Sequence, residues 1–190
     1  MTTIRDLQVL EFLTATRIAS TRQIQDSFFP GLNPSISYDR LKYLADNKFL
    51  KRNFYRIEPN RNSYVYYLDK KPSKKTIRHD LLITQFYVEL KKLNFEILSF
   101  EKTPIYKGFR PDAIVEFKTD KEQVKKVFLE VQLSQHSVYE KYYNINPNND
   151  PNIPSYLWVV TDQEQQQHSI RNLRIIVDTL KMDKLKNYFS

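Results

Sequence analysis

Apolar residues recur at helical spacing three times in the first third of the chain. The spacing predicts helices over residues 4–15, 21–29 and 34–47. Ser20 and Asn33 are good helix caps, and Pro30 is expected to stop the second helix. Two β-patterned runs follow at residues 53–57 and 63–68, on either side of a turn-forming segment.

Three helices followed by a hairpin are typical of the winged helix-turn-helix fold, so we expect that fold over residues 1–70. In such domains the third helix enters the major groove of DNA, and the hairpin contacts the flanking backbone. The polar residues that these two elements would offer to DNA are Ser35, Ser37, Tyr38, Arg40, Lys42, Arg52, Arg56 and Arg61. The alternative is a small protein-interaction domain whose basic residues form a solvated face.

Residues 71–77 are polar and basic and contain a proline, which indicates a linker. Residues 78–190 then form a second predicted domain of α/β (α+β) class, a mixed sheet flanked by helices. Its predicted elements are a helix at 78–93, strands at 109–117 and 127–133, a helix at 136–145, a strand at 156–160, a polar helix, and a strand at 174–177.

The predicted strand 127–133 carries a carboxylate in an apolar setting. Alternation places Phe128, Glu130 and Gln132 on one face. Burying Glu130 is costly unless a partner satisfies it, and Asp112 at the start of the preceding strand is the natural neighbour. Two carboxylates and an amide at a sheet edge would suit a hard cation such as Mg²⁺. Alternatively, Asp112 caps a turn and Glu130 pairs with a nearby Lys or Arg.

Pro-Asp on one strand and Glu-x-Gln on the next resemble the PD-(D/E)xK nuclease superfamily, whose core runs helix, three strands, helix, strand. The resemblance implies a restriction-endonuclease-like domain in which Asp112 and Glu130 bind the metal and Glu89 on the first helix completes the site. Gln132 stands where the superfamily usually has Lys. Lys141 on the next helix is a candidate for a relocated lysine. Its alternative is an ordinary solvated surface lysine.

Five short motifs in order resemble the replication-relaxation family of plasmids and other mobile elements. They are Arg5-Asp-Leu, His79-Asp80, Arg110-Pro-Asp-Ala113, Phe128-Leu-Glu-Val-Gln132 and Lys141-Tyr142. The resemblance covers residues from about 4 to 145. It implies a winged helix joined to a nuclease-like domain, and an association with the replication or mobilisation of plasmid-like DNA.

The net charge of +8 is unevenly distributed. Residues 1–77 hold 14 Lys and Arg against seven Asp and Glu, whereas residues 78–190 hold 16 against 15. The excess positive charge therefore lies in the part that is expected to face phosphate. The chain has no cysteine, three dispersed histidines and two glycines, which excludes disulfides, cysteine-based zinc sites and glycine-rich phosphate loops. No apolar run has membrane-span length, so we expect a cytoplasmic protein without a membrane partner.

These features favour a DNA-binding accessory or regulatory protein of plasmid or mobile-element replication or mobilisation. We expect a homodimer on double-stranded DNA, with a replication initiator or a relaxase as a candidate protein partner. The nuclease-like domain would serve dimerisation or partner docking, and DNA binding would need no cofactor. One alternative is a Mg²⁺-dependent DNA endonuclease that uses Asp112 and Glu130. A second alternative is a protein-interaction adaptor.

Overall fold

The computed structural model describes residues 2–134, 138–149, 152–163, 170 and 173–189. The chain has a mixed α/β architecture with a three-stranded and a five-stranded sheet. It divides into two compact units, Met1–Val88 and Glu89–Ser190. The predicted linker at 71–77 lies within the first of these units. Within the described residues, no helix combines the length and the apolar character that a membrane span requires.

The first unit begins with helix α1 (Ile4–Thr16), short strand β1 (Ile18–Ser20), helix α2 (Thr21–Phe28) and helix α3 (Pro34–Asp46). The caps explain where these helices start. Thr3 and Asp6 form a capping box on α1, and Ser20 and Gln23 form one on α2. Asn33 caps α3, whose first residue is a proline that lacks the amide hydrogen a helix leaves unpaired there.

A hairpin follows, made of β2 (Lys51–Glu58) and β3 (Arg61–Tyr67), and β1 joins it on the far side of β3. All pairings are antiparallel, and the sheet order is β1-β3-β2. One hairpin face is apolar and contributes Tyr55, Ile57 and Val65 to a buried cluster. The other face packs Tyr66 and part of Tyr64 against the helices and leaves Phe54 and Arg56 exposed. The three helices pack around a second cluster that includes Phe12, Ile24 and Leu41.

The first turns of helix α4 (Ile77–Lys92) belong to the first unit. There Gln23 of α2 donates from Nε2 to the carbonyl of Leu81 at 2.7 Å. The second unit contains β4 (Glu96–Lys102), β5 (Ala113–Lys118), β6 (Val124–Gln132), β7 (Tyr156–Thr161), β8 (Arg174–Asp178) and helix α5 (Lys184–Phe189).

The five strands lie in their sequence order, with β4, β5 and β6 antiparallel and β6, β7 and β8 parallel. One face carries Ile114, Phe128 and Leu157 and is covered by an aromatic-rich segment after β6. On the opposite face Phe117 and Trp158 contact Phe189 of α5. From Val127 to Gln132 both faces of β6 are thus buried, which explains why four of these six residues are apolar.

The predicted helix at 136–145 is wrong in its described part, where a 3-10 turn at Glu140–Tyr142 replaces it. Tyr139, Tyr142 and Ile145 are all buried, and their three-residue spacing matches the period of a 3-10 helix. The amides of Tyr142 and Ile145 donate to carbonyls three residues earlier.

The predicted strand at 109–117 begins later, at Ala113, because Gly108 has positive φ in a local turn and Pro111 has no amide hydrogen to pair. Strand β1 was not predicted, because three residues are too few to show alternation. The predicted polar helix before β8 lies mostly outside the described residues.

Candidate functional site

Helix α3 presents three distinct faces. Ser37, Leu41 and Leu44 are buried in the core. Ile36, Arg40 and Tyr43 border a groove against the start of α1, with a volume of about 770 Å³. The third face is exposed and carries Ser35, Tyr38 and Lys42, at the spacing of three and four that aligns side chains on a helix.

The exposed face of α3 lies beside the outer face of the β2–β3 hairpin. Alternation along β2 places Arg52, Phe54 and Arg56 on that outer face, opposite residues 66, 64 and 62 of β3. The rings of Tyr38 and Tyr64 are 6.1 Å apart between centroids, which joins the helix to the hairpin. We call the surface formed by Ser35, Tyr38, Lys42, Phe54, Arg56 and Tyr64, together with Arg61 beside the adjoining hairpin turn, the α3–hairpin surface.

Arg52 packs against the aromatic rings of this surface and is largely buried. Its side chain is only 18% exposed, and its guanidinium carbon lies 4.8 Å from the ring centroid of Tyr64 and 5.9 Å from that of Tyr38. Its Nη2 is 4.0 Å from a carboxylate oxygen of Asp46. Arg52 therefore positions aromatic rings, and it has little surface left with which to contact DNA.

Two of the predicted DNA-binding residues of α3 are engaged inside the protein. Ser37 is fully buried and donates from Oγ to Gln25 Oε1 at 3.0 Å. Arg40 forms an ion pair with Asp6, donating from Nε to Oδ1 at 2.8 Å and from Nη2 to Oδ2. The guanidinium hydrogen bonds hold the pKa of the buried Asp6 carboxyl at about 2. Of the predicted DNA-binding residues of α3, this leaves Ser35, Tyr38 and Lys42 exposed.

The hairpin arginines lie at the surface. Arg61 is exposed and lies 3.9 Å from Glu58, a distance at which an exposed pair is weak. Arg56 donates from Nη2 to the carbonyl of Pro59 and so stays close to the turn. Next to it is a shallow groove of about 360 Å³ with a basic lining. Its charged lining residues are Arg56, Glu58, Lys74, Lys75 and Arg78.

Lys74 and Lys75 are not among the predicted candidates, because a basic run that contains a proline is also typical of a linker, and Arg78 is not among them because it begins the predicted helix 78–93. Their clustering beside the hairpin turn extends the positive surface of the first unit.

In the second unit, the register of β5 and β6 explains how the predicted acidic residues meet. Ala113 pairs with Leu129, so one further antiparallel step places Asp112 opposite Glu130. Asp112 Oδ2 accepts a hydrogen bond from the amide of Val131 at 2.8 Å. Asp112 therefore hydrogen-bonds to the next strand. The alternative, in which Asp112 only caps a turn, does not account for this hydrogen bond.

Glu130 is 2% exposed and is held by two residues of the 3-10 turn. Lys141 Nζ lies 2.7 Å from Glu130 Oε1 and also donates to the carbonyl of Arg110 at 3.0 Å. The Tyr142 hydroxyl donates to the same Oε1. Burial, reinforced by the charge of Asp112, raises the pKa of Glu130 to about 7, although Lys141 and Tyr142 act in the opposite direction. Burial beside Glu130 also raises the pKa of Tyr142.

The other two predicted site residues behave differently. Gln132 is buried on the same face as Glu130 and donates from Nε2 to the carbonyl of Ser134 at 3.1 Å. Its amide oxygen is buried and has no hydrogen-bond partner among the residues that the structure describes. Glu89 accepts from Lys92 at 3.1 Å near the end of α4. In the described parts of the chain, no group of three or more Asp, Glu or His side chains is placed to hold a metal ion.

The cluster of Asp112, Glu130, Lys141 and Tyr142 can hold or release a proton, because its central carboxyl titrates near neutrality. It offers a cation only two carboxylates, one of which already has a lysine and a tyrosine as partners. A divalent ion would have to displace Lys141 from Glu130 to bind there.

Scans against protein-family models, curated proteins and solved structures gave no match to this chain. The resemblances stated above therefore rest on the motifs themselves.

Proposed function

We propose that this chain binds double-stranded DNA through the α3–hairpin surface of its first unit. The observation that carries the proposal is the juxtaposition of an exposed α3 face with an arginine-bearing hairpin. In that arrangement Lys42, Arg56 and Arg61 are available to phosphates, while Ser35 and Tyr38 are available to base edges. Residues 1–77 supply nearly all of the net positive charge.

The order of elements supports a winged helix-turn-helix interpretation of the first unit. Helix, strand, two helices and a hairpin follow one another, and the sheet order is β1-β3-β2. In that interpretation α3 is the recognition helix and the β2–β3 hairpin is the wing. Homodimers are common in this class because two half-sites double the contacts, so a dimer on DNA belongs to the proposal.

For the second unit we propose a docking or dimerisation role within a protein of plasmid or mobile-element replication or mobilisation. A replication initiator or a relaxase is the partner that the motif resemblance suggests. Support comes from Glu130, whose carboxylate already forms an ion pair with Lys141 and accepts a hydrogen bond from Tyr142 of the same chain. A carboxylate held in this way contributes to the packing of the 3-10 turn on the sheet.

A second candidate function is a metal-dependent DNA endonuclease with a PD-(D/E)xK-like site. The observation that favours it is the convergence of Asp112, Glu130 and Lys141, three of the residues predicted for such a site. Asp112 and Glu130 would hold Mg²⁺, which when bound activates water and stabilises charge on a phosphate. Lys141, once released from Glu130, would be a cation close to the carboxylates.

One experiment separates these functions. Supercoiled plasmid is incubated with the full chain in Mg²⁺, Mn²⁺ or EDTA, and nicking and band shift are read on the same gel. The variants are Glu130→Gln, Lys42→Ala and, as a lysine control in the other unit, Lys121→Ala.

We expect a salt-sensitive shift without nicking in all three buffers, unchanged in Glu130→Gln and Lys121→Ala and weakened in Lys42→Ala. Nicking that needs metal and disappears in Glu130→Gln would establish the endonuclease instead. If the gel shows neither a band shift nor nicking, the protein-interaction adaptor is the function that remains.

A further inference from the structure

Three aromatic side chains form a continuous step on the α3–hairpin surface. The ring centroids of Phe54 and Tyr64 are 5.1 Å apart, and those of Tyr64 and Tyr38 are 6.1 Å apart. Phe54 is 62% exposed and Tyr38 is 37% exposed, so the outer part of the step is open to solvent. We call Tyr38, Tyr64 and Phe54 the aromatic step.

Folding does not account for the position of Phe54. The strand alternation that directs Tyr55 and Ile57 into the core directs Phe54 outward. Its outer position means that most of its apolar area gains nothing from burial when the chain folds. An exposed ring in the middle of a strand is thus available to a ligand.

The step is also held in place before any ligand arrives. The guanidinium of Arg52 lies against Tyr64 and Tyr38 on the protein side and is itself paired with Asp46. A ring fixed in this way loses little conformational freedom on binding, which favours recognition of a flat, rigid partner.

The charges around the step favour a polyanion over an apolar protein surface. Lys42 is exposed on the same face of α3 as Tyr38, Arg56 is exposed on the same hairpin face as Phe54, and Arg61 is exposed beside the hairpin turn. A positive groove with interleaved aromatic rings is the arrangement that proteins use for unpaired nucleotides, whose bases stack on the rings while cations hold the phosphates.

We propose that the aromatic step stacks an unpaired nucleobase, so that the preferred ligand of this surface is duplex DNA that contains unpaired nucleotides. This inference rests on the proposed function and adds the substrate class. In fully paired DNA each base is already stacked on its neighbours, so Phe54 gains a stacking partner only where the duplex is open or distorted.

The test compares three fluorescent DNAs by anisotropy at fixed salt: a 30-base-pair duplex, the same duplex with a central bubble of five mismatches, and an oligothymidine of equal length. Full-length wild type is measured beside Phe54→Ala, Phe54→Tyr and Phe49→Ala. Phe49 is the matched control, because it is 44% exposed in the same unit but precedes the paired hairpin strands. Circular dichroism melts check that each variant is folded.

We expect wild type to bind the bubble about 5- to 100-fold more tightly than the duplex, the range that stacking of one base supplies. Phe54→Ala should reduce the ratio of bubble affinity to duplex affinity to within about twofold of one. Phe54→Tyr, which keeps the ring, and Phe49→Ala should retain the preference.

Each failure has a distinct meaning. If wild type binds the duplex but shows no bubble preference, or if the preference survives Phe54→Ala, the inference is wrong and the proposed function stands. If wild type binds none of the three DNAs, the proposed function itself is wrong. If Phe54→Ala changes the oligomeric mass in light scattering and leaves the DNA preference intact, the step is a protein interface, which also overturns the inference.

Discussion

Lys141 Nζ lies 2.7 Å from Oε1 of Glu130, a carboxylate that the sheet and the 3-10 turn leave almost without solvent. The two residues are eleven positions apart in sequence, and the turn at Glu140–Tyr142 brings the lysine back over β6. The same turn supplies the Tyr142 hydroxyl to this oxygen. One carboxylate therefore joins the strand to the segment that covers it.

The first prediction concerns the pH dependence that Glu130 gives to stability. The pKa of Glu130 is about 7 in the folded chain, against a reference value of 4.5 for the unfolded chain. Between pH 4.5 and pH 7 the folded chain therefore keeps a proton on Glu130 that the unfolded chain has lost. The free energy of unfolding should therefore fall as pH rises from about 4.5 to 7, by up to roughly 3 kcal/mol. Urea unfolding at pH 4.5, 6 and 8 measures this slope.

Glu130→Gln should lose this part of the slope, because an amide does not titrate. Glu116→Gln is the matched control: Glu116 lies on the same face of the sheet but is half-exposed, beside Lys126. It should retain the wild-type slope. An unchanged slope in Glu130→Gln would mean that Glu130 is not the titrating group.

The second prediction concerns Lys141. Lys141→Ala removes the cation from a buried carboxylate, so stability should fall by about 1–3 kcal/mol at pH 8, where Glu130 is ionised. At pH 5 Glu130 is protonated, and the loss should be clearly smaller. Lys121→Ala, at an exposed turn, should change stability by less than about 0.5 kcal/mol at either pH. Equal losses at both pH values would show that Lys141 acts only through packing.

How far the sequence predicted the fold depended on whether the signals were local. Ser20 and Asn33 cap the helices they were expected to cap, because capping involves only the next few residues. The described part of the predicted helix 136–145 is wrong because Tyr139, Tyr142 and Ile145 have a period of three. A helix of period 3.6 was the simpler interpretation of the same apolar residues.

The candidate site shows the same limit. The sequence predicts Asp112 as the neighbour of Glu130, and a nearby Lys or Arg as an alternative partner, but it proposes Lys141 only as a relocated lysine and not as that partner. Arg40 was assigned to the DNA-binding face because its partner, Asp6, lies 34 residues earlier on another helix. Long-range ion pairs of this kind leave no periodic signal in a single sequence.

The third prediction separates Arg40 from the proposed DNA-binding surface. Arg40→Ala leaves Asp6 buried without its cation, so unfolding should cost about 1–3 kcal/mol less at neutral pH. The pKa of Asp6 is about 2 in the folded chain, so the pair stabilises above pH 3.8 and its contribution is lost as pH falls toward 2. Urea unfolding of Arg40→Ala and wild type at pH 7 and pH 2.5 measures both effects. A large loss at pH 2.5 equal to that at pH 7 would contradict the ion-pair explanation.

The fourth prediction concerns Lys42, one turn from Tyr38 on the exposed face of α3. Lys42→Ala should weaken binding to all duplex sequences similarly and reduce the slope of log K against log salt by about 1, because one phosphate contact and its released counterion are lost. Its stability should stay within about 0.5 kcal/mol of wild type. Titrations of a labelled duplex from 50 to 200 mM KCl measure the slope, with Arg40→Ala as the comparison on the neighbouring face. If Arg40→Ala lowers the slope at a temperature where it is fully folded and Lys42→Ala does not, the DNA-binding face of α3 is the one that borders α1.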